Sequence, residues 1–198
     1  MNTDKIIQKH LGIKPEKKSL HIIKTPHGRI DLLKTMALLD FKIGAEIGVN
    51  RGRHSKAMCK NIPGLKLFAV DPWIAYPVRN NQARQDRCFK EAKTVLAPYD
   101  VKIIKQSSMK AEQKFKDKSL DFVYIDGDHS FDAAMLDLIM WSAKVKIGGI
   151  VAGHDYAPHF ADRVVTAVDA YVKAHNINPW YLINEKWPTF FWVRKNND

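Results

Sequence analysis

The sequence predicts an α/β protein with a doubly wound, Rossmann-like sheet that is mostly parallel. From about residue 41 onward, short apolar runs of strand length alternate with longer amphipathic segments, and turn residues flank each short run. The chain has 198 residues, of which 45% are hydrophobic and 27% charged. That size supports one domain with a hydrophobic core, and that composition excludes disordered and coiled-coil classes. Alternating strands and helices place a parallel sheet between two helical layers.

The elements follow in order along the chain. Residues 1–38 are predicted to form an N-terminal helical extension, and residues 39–198 the core of a single domain spanning 1–198. Strands are predicted at 43–49, 65–71, 101–104, 120–126 and 149–153, with helices near 54–61, 80–97, 130–144 and 159–175. Two further strand-like runs, 180–183 and 189–193, are separated by five residues. The short connection predicts a C-terminal antiparallel hairpin.

Cysteine content and charge restrict the cellular setting and the ligand. Cys59 and Cys88 are too few for a disulfide framework, and neither a membrane span nor a secretory signal is visible, so we expect a cytoplasmic protein without membrane contact. The net charge is +11, and residues 51–116 carry 15 basic and 5 acidic side chains. This asymmetry predicts that one side of the domain favours an anionic ligand.

Glycines and acids follow the first two predicted core strands, where open α/β sheets bind their ligands. Glu46, Gly48 and Gly52 follow the first strand, and their spacing is neither G-x-G-x-x-G nor a P-loop. Asp71 ends the second strand, where a carboxylate can accept hydrogen bonds from ribose hydroxyls. These features favour a nucleoside ligand without a pyrophosphate.

Three motifs in this order resemble class I S-adenosylmethionine-dependent methyltransferases. They are E-x-G-x-x-x-G at 46–52, Asp71, and Ile-Asp-Gly-Asp-His-Ser at 125–130. With Gly-Gly-Ile-Val-Ala-Gly-His-Asp-Tyr at 148–156, the chain is similar to methyltransferase family 24 over roughly 41–194. The resemblance implies a seven-stranded sheet with a reversed last strand, and S-adenosylmethionine as the cofactor.

The resemblance also implies cofactor-binding roles for individual residues. Gly48 and Gly52 would let the backbone approach the methionine part of the cofactor, with Glu46 near its ammonium group. Asp71 would hold the ribose hydroxyls, and Trp73 would lie against the adenine face. The adenine edge would be met by Ser107 or Ser108. Each feature also has an ordinary explanation: a tight turn for the glycines, a helix cap for Asp71, and core packing for Trp73.

A titratable cluster is predicted where the fourth and fifth core strands end. Two chemistries use such a cluster. In the first, a divalent metal bound by Asp126, His154 and Asp155 lowers the pKa of a substrate hydroxyl, and Asp128 or His129 is the general base. Magnesium or manganese are the candidates, and the histidine moves the preference from magnesium toward manganese, iron or zinc. In the second, no metal takes part and His129 or His154 removes the proton. Two of these acids have alternative roles, since Asp128 could cap the following helix and Asp126 could help to place the cofactor.

The predicted reaction is O-methylation of a small-molecule hydroxyl, and RNA methylation is the alternative. The acceptor pocket is expected from segments 1–38, 72–80 and 156–162. The predicted helix at 80–97 carries spaced cations, namely Arg84, Arg87, Lys90 and Lys93, which form either a solvated face or a contact for an anionic substrate or nucleic acid. Nothing in the sequence predicts an oligomeric state.

Overall fold

A computed structural model of the chain describes residues 3–14, 19–26, 28–75, 81–158 and 162–196. Its helices are α1 (Thr3–His10), α2 (Arg29–Leu38), α3 (Arg53–Asn61), α4 (Gln82–Leu96), α5 (Ser108–Glu112), α6 (Phe131–Lys144) and α7 (Asp162–Ala174). Its strands are β1 (Leu20–Ile23), β2 (Ile43–Ile47), β3 (Lys66–Val70), β4 (Val101–Ile104), β5 (Leu120–Ile125), β6 (Val145–Gly153), β7 (Trp180–Ile183) and β8 (Thr189–Val193).

One sheet carries all these strands, in the order β1-β7-β8-β6-β5-β2-β3-β4. Only β8 runs antiparallel to its neighbours, β6 and β7. One face of the sheet packs against α5, α6 and α7, where Trp141 is fully buried. The other face packs against α1 to α4, where Leu33 and Met58 are fully buried. The doubly wound sheet and the C-terminal hairpin are therefore confirmed.

The structure adds an eighth strand to the seven expected. β1 lies in the segment for which the sequence predicts only helices, and it pairs in parallel with β7, Leu20 opposite Trp180 and Ile23 opposite Ile183. A run of four residues gives little local evidence for a strand, because the position of an edge strand depends on the strand with which it pairs. The N-terminal segment therefore extends the sheet and then leads into α2.

Parallel pairing brings the carboxyl ends of β2, β3, β4, β5 and β6 to the same edge of the sheet. We call this edge the carboxyl edge. The connection between β7 and β8 and the start of α2 also lie there, because β7 and β1 run parallel to β6. The chemistry predicted from the sequence therefore converges at one edge. The parts of segments 72–80 and 156–162 that fall at 76–80 and 159–161 lie outside the described residues.

Candidate active site

The sheet order arranges the predicted site residues in a row along the carboxyl edge. Ser107 follows β4, Asp71 follows β3 and Gly48 follows β2. Asp126 then follows β5, and His154 and Asp155 follow β6. The glycine turn and Asp71 thus lie at the ends of β2 and β3, and the titratable cluster lies beside them at the ends of β5 and β6.

The glycine turn and Asp71 form one hydrogen-bonded unit. The Asp71 carboxylate accepts the backbone N–H groups of Val49 and Asn50 on Oδ2, each at 2.9 Å, and that of Trp73 on Oδ1 at 2.7 Å. Gly48 has φ +88°, and a Cβ there would lie 1.9 Å from the Asp126 carbonyl oxygen. Only glycine fits at that approach. Asp71 is held rigidly and half-buried, and Oδ1 keeps a lone pair for a further donor such as a ribose hydroxyl.

Glu46 is enclosed beneath the turn. Its side chain is 1% exposed, Oε1 lies 3.0 Å from His54 Nδ1, and Oε2 accepts a hydrogen bond from the Ser55 hydroxyl. Both oxygens are therefore engaged by the first turn of α3. A contact with the cofactor's ammonium stays a prediction, and this burial does not support it.

Trp73 belongs to the core in this structure. The ring is fully buried, packs on Phe89 at a centroid distance of 4.8 Å, and donates its indole N–H to the Asn50 carbonyl at 2.8 Å. The ring therefore supports the glycine turn from behind. Its predicted place against an adenine face gains no support from this packing.

Ser107 and Ser108 lie at the start of α5, which follows β4 and packs against α6. Ser108 hydrogen-bonds to Asp137 of α6, a buried carboxyl that the sequence did not single out. Burial raises the pKa of Asp137 to about 6, against the opposing effect of that hydrogen bond. Asp137 Oδ2 would lie 3.2 Å from a Cβ at Gly127, so this carboxyl supports the loop that carries Asp126.

His129, Asp155 and Asp126 form the centre of the cluster. His129 Nε2 lies 3.1 Å from Asp155 Oδ2 and 3.7 Å from Asp126 Oδ1, and the histidine side chain is 47% exposed. Asp126 and then Asp155 stabilise the protonated ring and outweigh burial, so the pKa of His129 is raised above its usual value. Burial opposes ionisation of Asp155, but a hydrogen bond from His154 and the charges around it lower its pKa. Nε2 thus faces carboxylates while the rest of the imidazole remains accessible.

His154 faces the same carboxylates from the other side. Its Nδ1 lies 3.1 Å from Asp155 Oδ1 and 3.8 Å from Asp126 Oδ2, and the side chain is only 9% exposed. Its Nε2 is buried and has no hydrogen-bond partner among the described residues. An acceptor molecule therefore reaches His129 more readily than His154.

Asp126, His154 and Asp155 also satisfy the donor requirements of a metal. One ligand atom from each lies within 4.8 Å of the others, and no other group of this kind occurs among the described residues. Two carboxylate oxygens and one imidazole nitrogen suit a divalent first-row cation better than magnesium, which prefers oxygen alone. The donor set therefore fits a metal.

Asp128 is used locally. Its Oδ1 accepts the backbone N–H of Ser130 at 2.7 Å, and the Ser130 hydroxyl accepts that of Ala133 at 3.4 Å. Ser130 is therefore the residue that caps α6, and Asp128 shapes the turn that leads into it. A role for Asp128 as a base stays a prediction.

Sequence reasoning missed an ion pair at the other end of the row. Arg29 begins α2, and Glu185 lies in the β7–β8 connection, with Nε and Oε1 3.6 Å apart and side chains 27% and 22% exposed. The Thr189 hydroxyl donates to Glu185 at 2.8 Å and lies 3.1 Å from the Tyr124 hydroxyl, which also hydrogen-bonds to Arg29. No local pattern signals this pair, because its members are 156 positions apart in the sequence.

Comparisons with known proteins show the family and the fold. A family model described as a methyltransferase domain matches residues 45–156. A Bacillus cereus O-methyltransferase solved with SAH has a similar structure, at 12% identity and TM-score 0.61, covering 98% of this chain and 90% of that one.

Two further solved structures have the same fold. A Klebsiella pneumoniae protein named as a candidate O-methyltransferase shows 16% identity and TM-score 0.59, covering 97% of this chain and 89% of that one. A Clostridium thermocellum protein named as a candidate rRNA methylase shows 14% identity and TM-score 0.59, covering 83% of this chain and 94% of that one. No curated protein matches the chain in sequence. No helix within the described ranges is long and apolar enough to cross a membrane.

Proposed function

Because the chain belongs to the methyltransferase-domain family whose model matches residues 45–156, we propose that it transfers the methyl group of S-adenosylmethionine to a hydroxyl oxygen of a small molecule. The observation that carries the choice of oxygen is the accessible His129 beside Asp155 and Asp126. A hydroxyl is a weak nucleophile at neutral pH, so its methylation needs a base or a metal at the reacting oxygen.

The cofactor half of the row would be the glycine turn with Asp71. Asp71 is the best-placed carboxylate for the ribose hydroxyls, because three backbone N–H groups orient it and it remains half-buried. S-adenosylmethionine supplies a methyl group on a positively charged sulfur, which an oxygen nucleophile can displace. The adjoining cluster on β5 and β6 then faces the reacting methyl group.

His129 would be the general base. With Nε2 directed at Asp155, the ring keeps its proton on that nitrogen and presents the Nδ1 lone pair to the acceptor. The acceptor oxygen forms its bond to the methyl carbon as its proton passes to Nδ1, and the carbon–sulfur bond breaks. Asp155 and Asp126 stabilise the resulting imidazolium. In the metal-assisted route, a divalent ion on Asp126, His154 and Asp155 would lower the pKa of the acceptor hydroxyl.

The test compares turnover with cofactor affinity. Asp126→Asn and His129→Ala should lower kcat by about 10²-fold or more, the usual loss for a missing general base or its partner, while S-adenosylhomocysteine affinity stays within about tenfold. Asp132→Asn is the matched control, since this exposed carboxyl lies in the first turn of α6 near the cluster. Full activity in both site variants would refute the placement of the active site.

A chelator separates the two routes. If EDTA removes activity and a divalent ion restores it, then Asp126, His154 and Asp155 act as ligands. If EDTA has no effect and His129→Ala removes activity, the metal-free route operates. Either result leaves methyl transfer to oxygen in place.

RNA is the second candidate acceptor, because one face of α4 exposes its cations. Arg84, Arg87, Lys90 and Lys93 are all exposed. Scattered cations contact phosphates without reading bases, so any RNA binding should be weak, insensitive to sequence and steeply salt-dependent in a filter-binding titration. A tight, sequence-selective complex at physiological salt would make RNA the substrate.

A further inference from the structure

The Arg29–Glu185 pair lies on the acceptor side of the cluster. Along the carboxyl edge the order is Asp71, the glycine turn, Asp126, Asp155 and then the β7–β8 connection with Glu185. The cofactor is expected on the β2–β3 half of this row. The pair therefore occupies the half that the cofactor leaves to the acceptor.

The pair is held in place from behind but is open in front. Thr189 and Tyr124, both buried, hydrogen-bond to Glu185 and to Arg29 respectively, and so position both charged groups. Gly28 allows the backbone before α2 to lie close to Glu185, because a Cβ at this position would lie 2.5 Å from Glu185 Oε2. The charged groups approach each other at Arg29 Nε and Glu185 Oε1, 3.6 Å apart, and both side chains are partly exposed. A guanidinium and a carboxylate can make two parallel, shorter bonds, and this pair does not make them.

The charges around the pair restrict what it can receive. Asp126 and Asp155 lie close enough for their charges to interact with that of Arg29. A ligand with only a negative charge would be repelled by Glu185 and both aspartates, whereas a ligand with only a positive charge would be repelled by Arg29. A molecule that carries both signs offers a carboxylate to Arg29 and an ammonium to Glu185, and it replaces one imperfect ion pair by two good ones.

Resting on the proposed methyl transfer to oxygen, we infer that the acceptor is a zwitterion, a hydroxyl compound with an amino-acid group, and that Arg29 and Glu185 determine this specificity. Both residues lie outside the residues 45–156 that match the family model. The assignment therefore concerns a part of the chain that the family model does not cover.

Two sets of three acceptors test the inference. The first set is tyrosine, tyramine and para-hydroxyphenylpropanoate, and the second is serine, ethanolamine and hydroxypropanoate. Each set holds a zwitterion, its amine-only counterpart and its acid-only counterpart, and formation of S-adenosylhomocysteine is measured for each. In at least one set, kcat/KM for the zwitterion should exceed both counterparts by about tenfold or more, since each counterpart leaves one charged group unpaired.

Variants then assign each charge to its residue. Arg29→Gln should lower kcat/KM for the zwitterion to that of the amine-only compound, and Glu185→Gln should lower it to that of the acid-only compound. A pair that only links α2 to the hairpin would instead lower all three alike. Lys42→Gln is the matched control, because Lys42 forms an exposed ion pair with Asp40 just before β2, at the opposite edge of the sheet.

Each outcome decides the inference. Equal losses for all three compounds, or no turnover of either zwitterion, would overturn it. Equal methylation of each zwitterion and its two counterparts by the wild type would also overturn it and leave the proposed function intact. Failure of the wild type to bind S-adenosylhomocysteine in calorimetry would instead refute the proposed function.

Discussion

Replacing Gly48 by alanine should damage both the fold and the active site. The new Cβ would lie 1.9 Å from the Asp126 carbonyl oxygen and 2.8 Å from the Gly127 Cα, both backbone atoms of the strand end paired with β2. Overpacking of this kind costs about 1–3 kcal/mol. The φ of +88° adds a strain of about 1–2 kcal/mol for a residue with a Cβ. We therefore expect a loss of about 2–5 kcal/mol in the free energy of unfolding.

Urea denaturation measures this loss, and Gly64→Ala separates its two causes. Gly64 has φ +72°, but a Cβ there would meet only the Lys42 side chain at 3.9 Å, so the variant reports backbone strain alone, about 1–2 kcal/mol. Because Gly48→Ala must also displace the loop carrying Asp126, turnover should fall in the fraction that remains folded. Equal destabilisation of the two variants, or full activity of Gly48→Ala, would refute the close-approach argument.

Three further predictions concern single carboxyls and the base. Asp71→Ala should weaken S-adenosylhomocysteine binding in calorimetry by about 1.5–3 kcal/mol, the scale of charge-assisted hydrogen bonds, and unchanged affinity would contradict its role. The kcat/KM should rise with pH through the raised pKa of His129, since only the neutral ring accepts a proton. Asp126→Asn should move this rise in kcat/KM to lower pH, and a rise that stays at the same pH would exclude His129 as the base. Asp137→Asn should stabilise the protein at pH 8 by up to about 3 kcal/mol. The pKa of Asp137 is about 6 in the folded protein and 3.8 in the unfolded chain, so the carboxyl favours folding below pH 4 and this contribution is lost as pH rises through 6. Equal effects of the substitution at pH 4 and pH 8 in urea titrations would contradict this.

Local patterns were sufficient for much of the fold. Short apolar runs placed seven strands, because strands buried on both faces are apolar along their length, and a helical repeat placed the helices between them. Strand β1 had no such repeat, and its position depends on β7, which lies about 160 residues away.

The same distinction between local sequence and tertiary contacts applies to the candidate site. Glycines and acids at strand ends were visible in the sequence because parallel strands bring their ends to one edge. What each side chain does there was not visible. Glu46 and Trp73 have the residue types for cofactor contact, yet α3 engages the first and the core encloses the second.

The sequence by itself determined the fold class, the edge that carries the candidate site and the residues of the central cluster, because these depend on apolar patterns and on which residues follow the strands. Only the tertiary structure decided which polar groups are already paired and which remain open. His129 is accessible while His154 is buried, and Arg29 meets Glu185 across the edge. The physical reason is that burial and pairing are set by neighbours distant in the chain, and these neighbours leave no pattern in the local sequence.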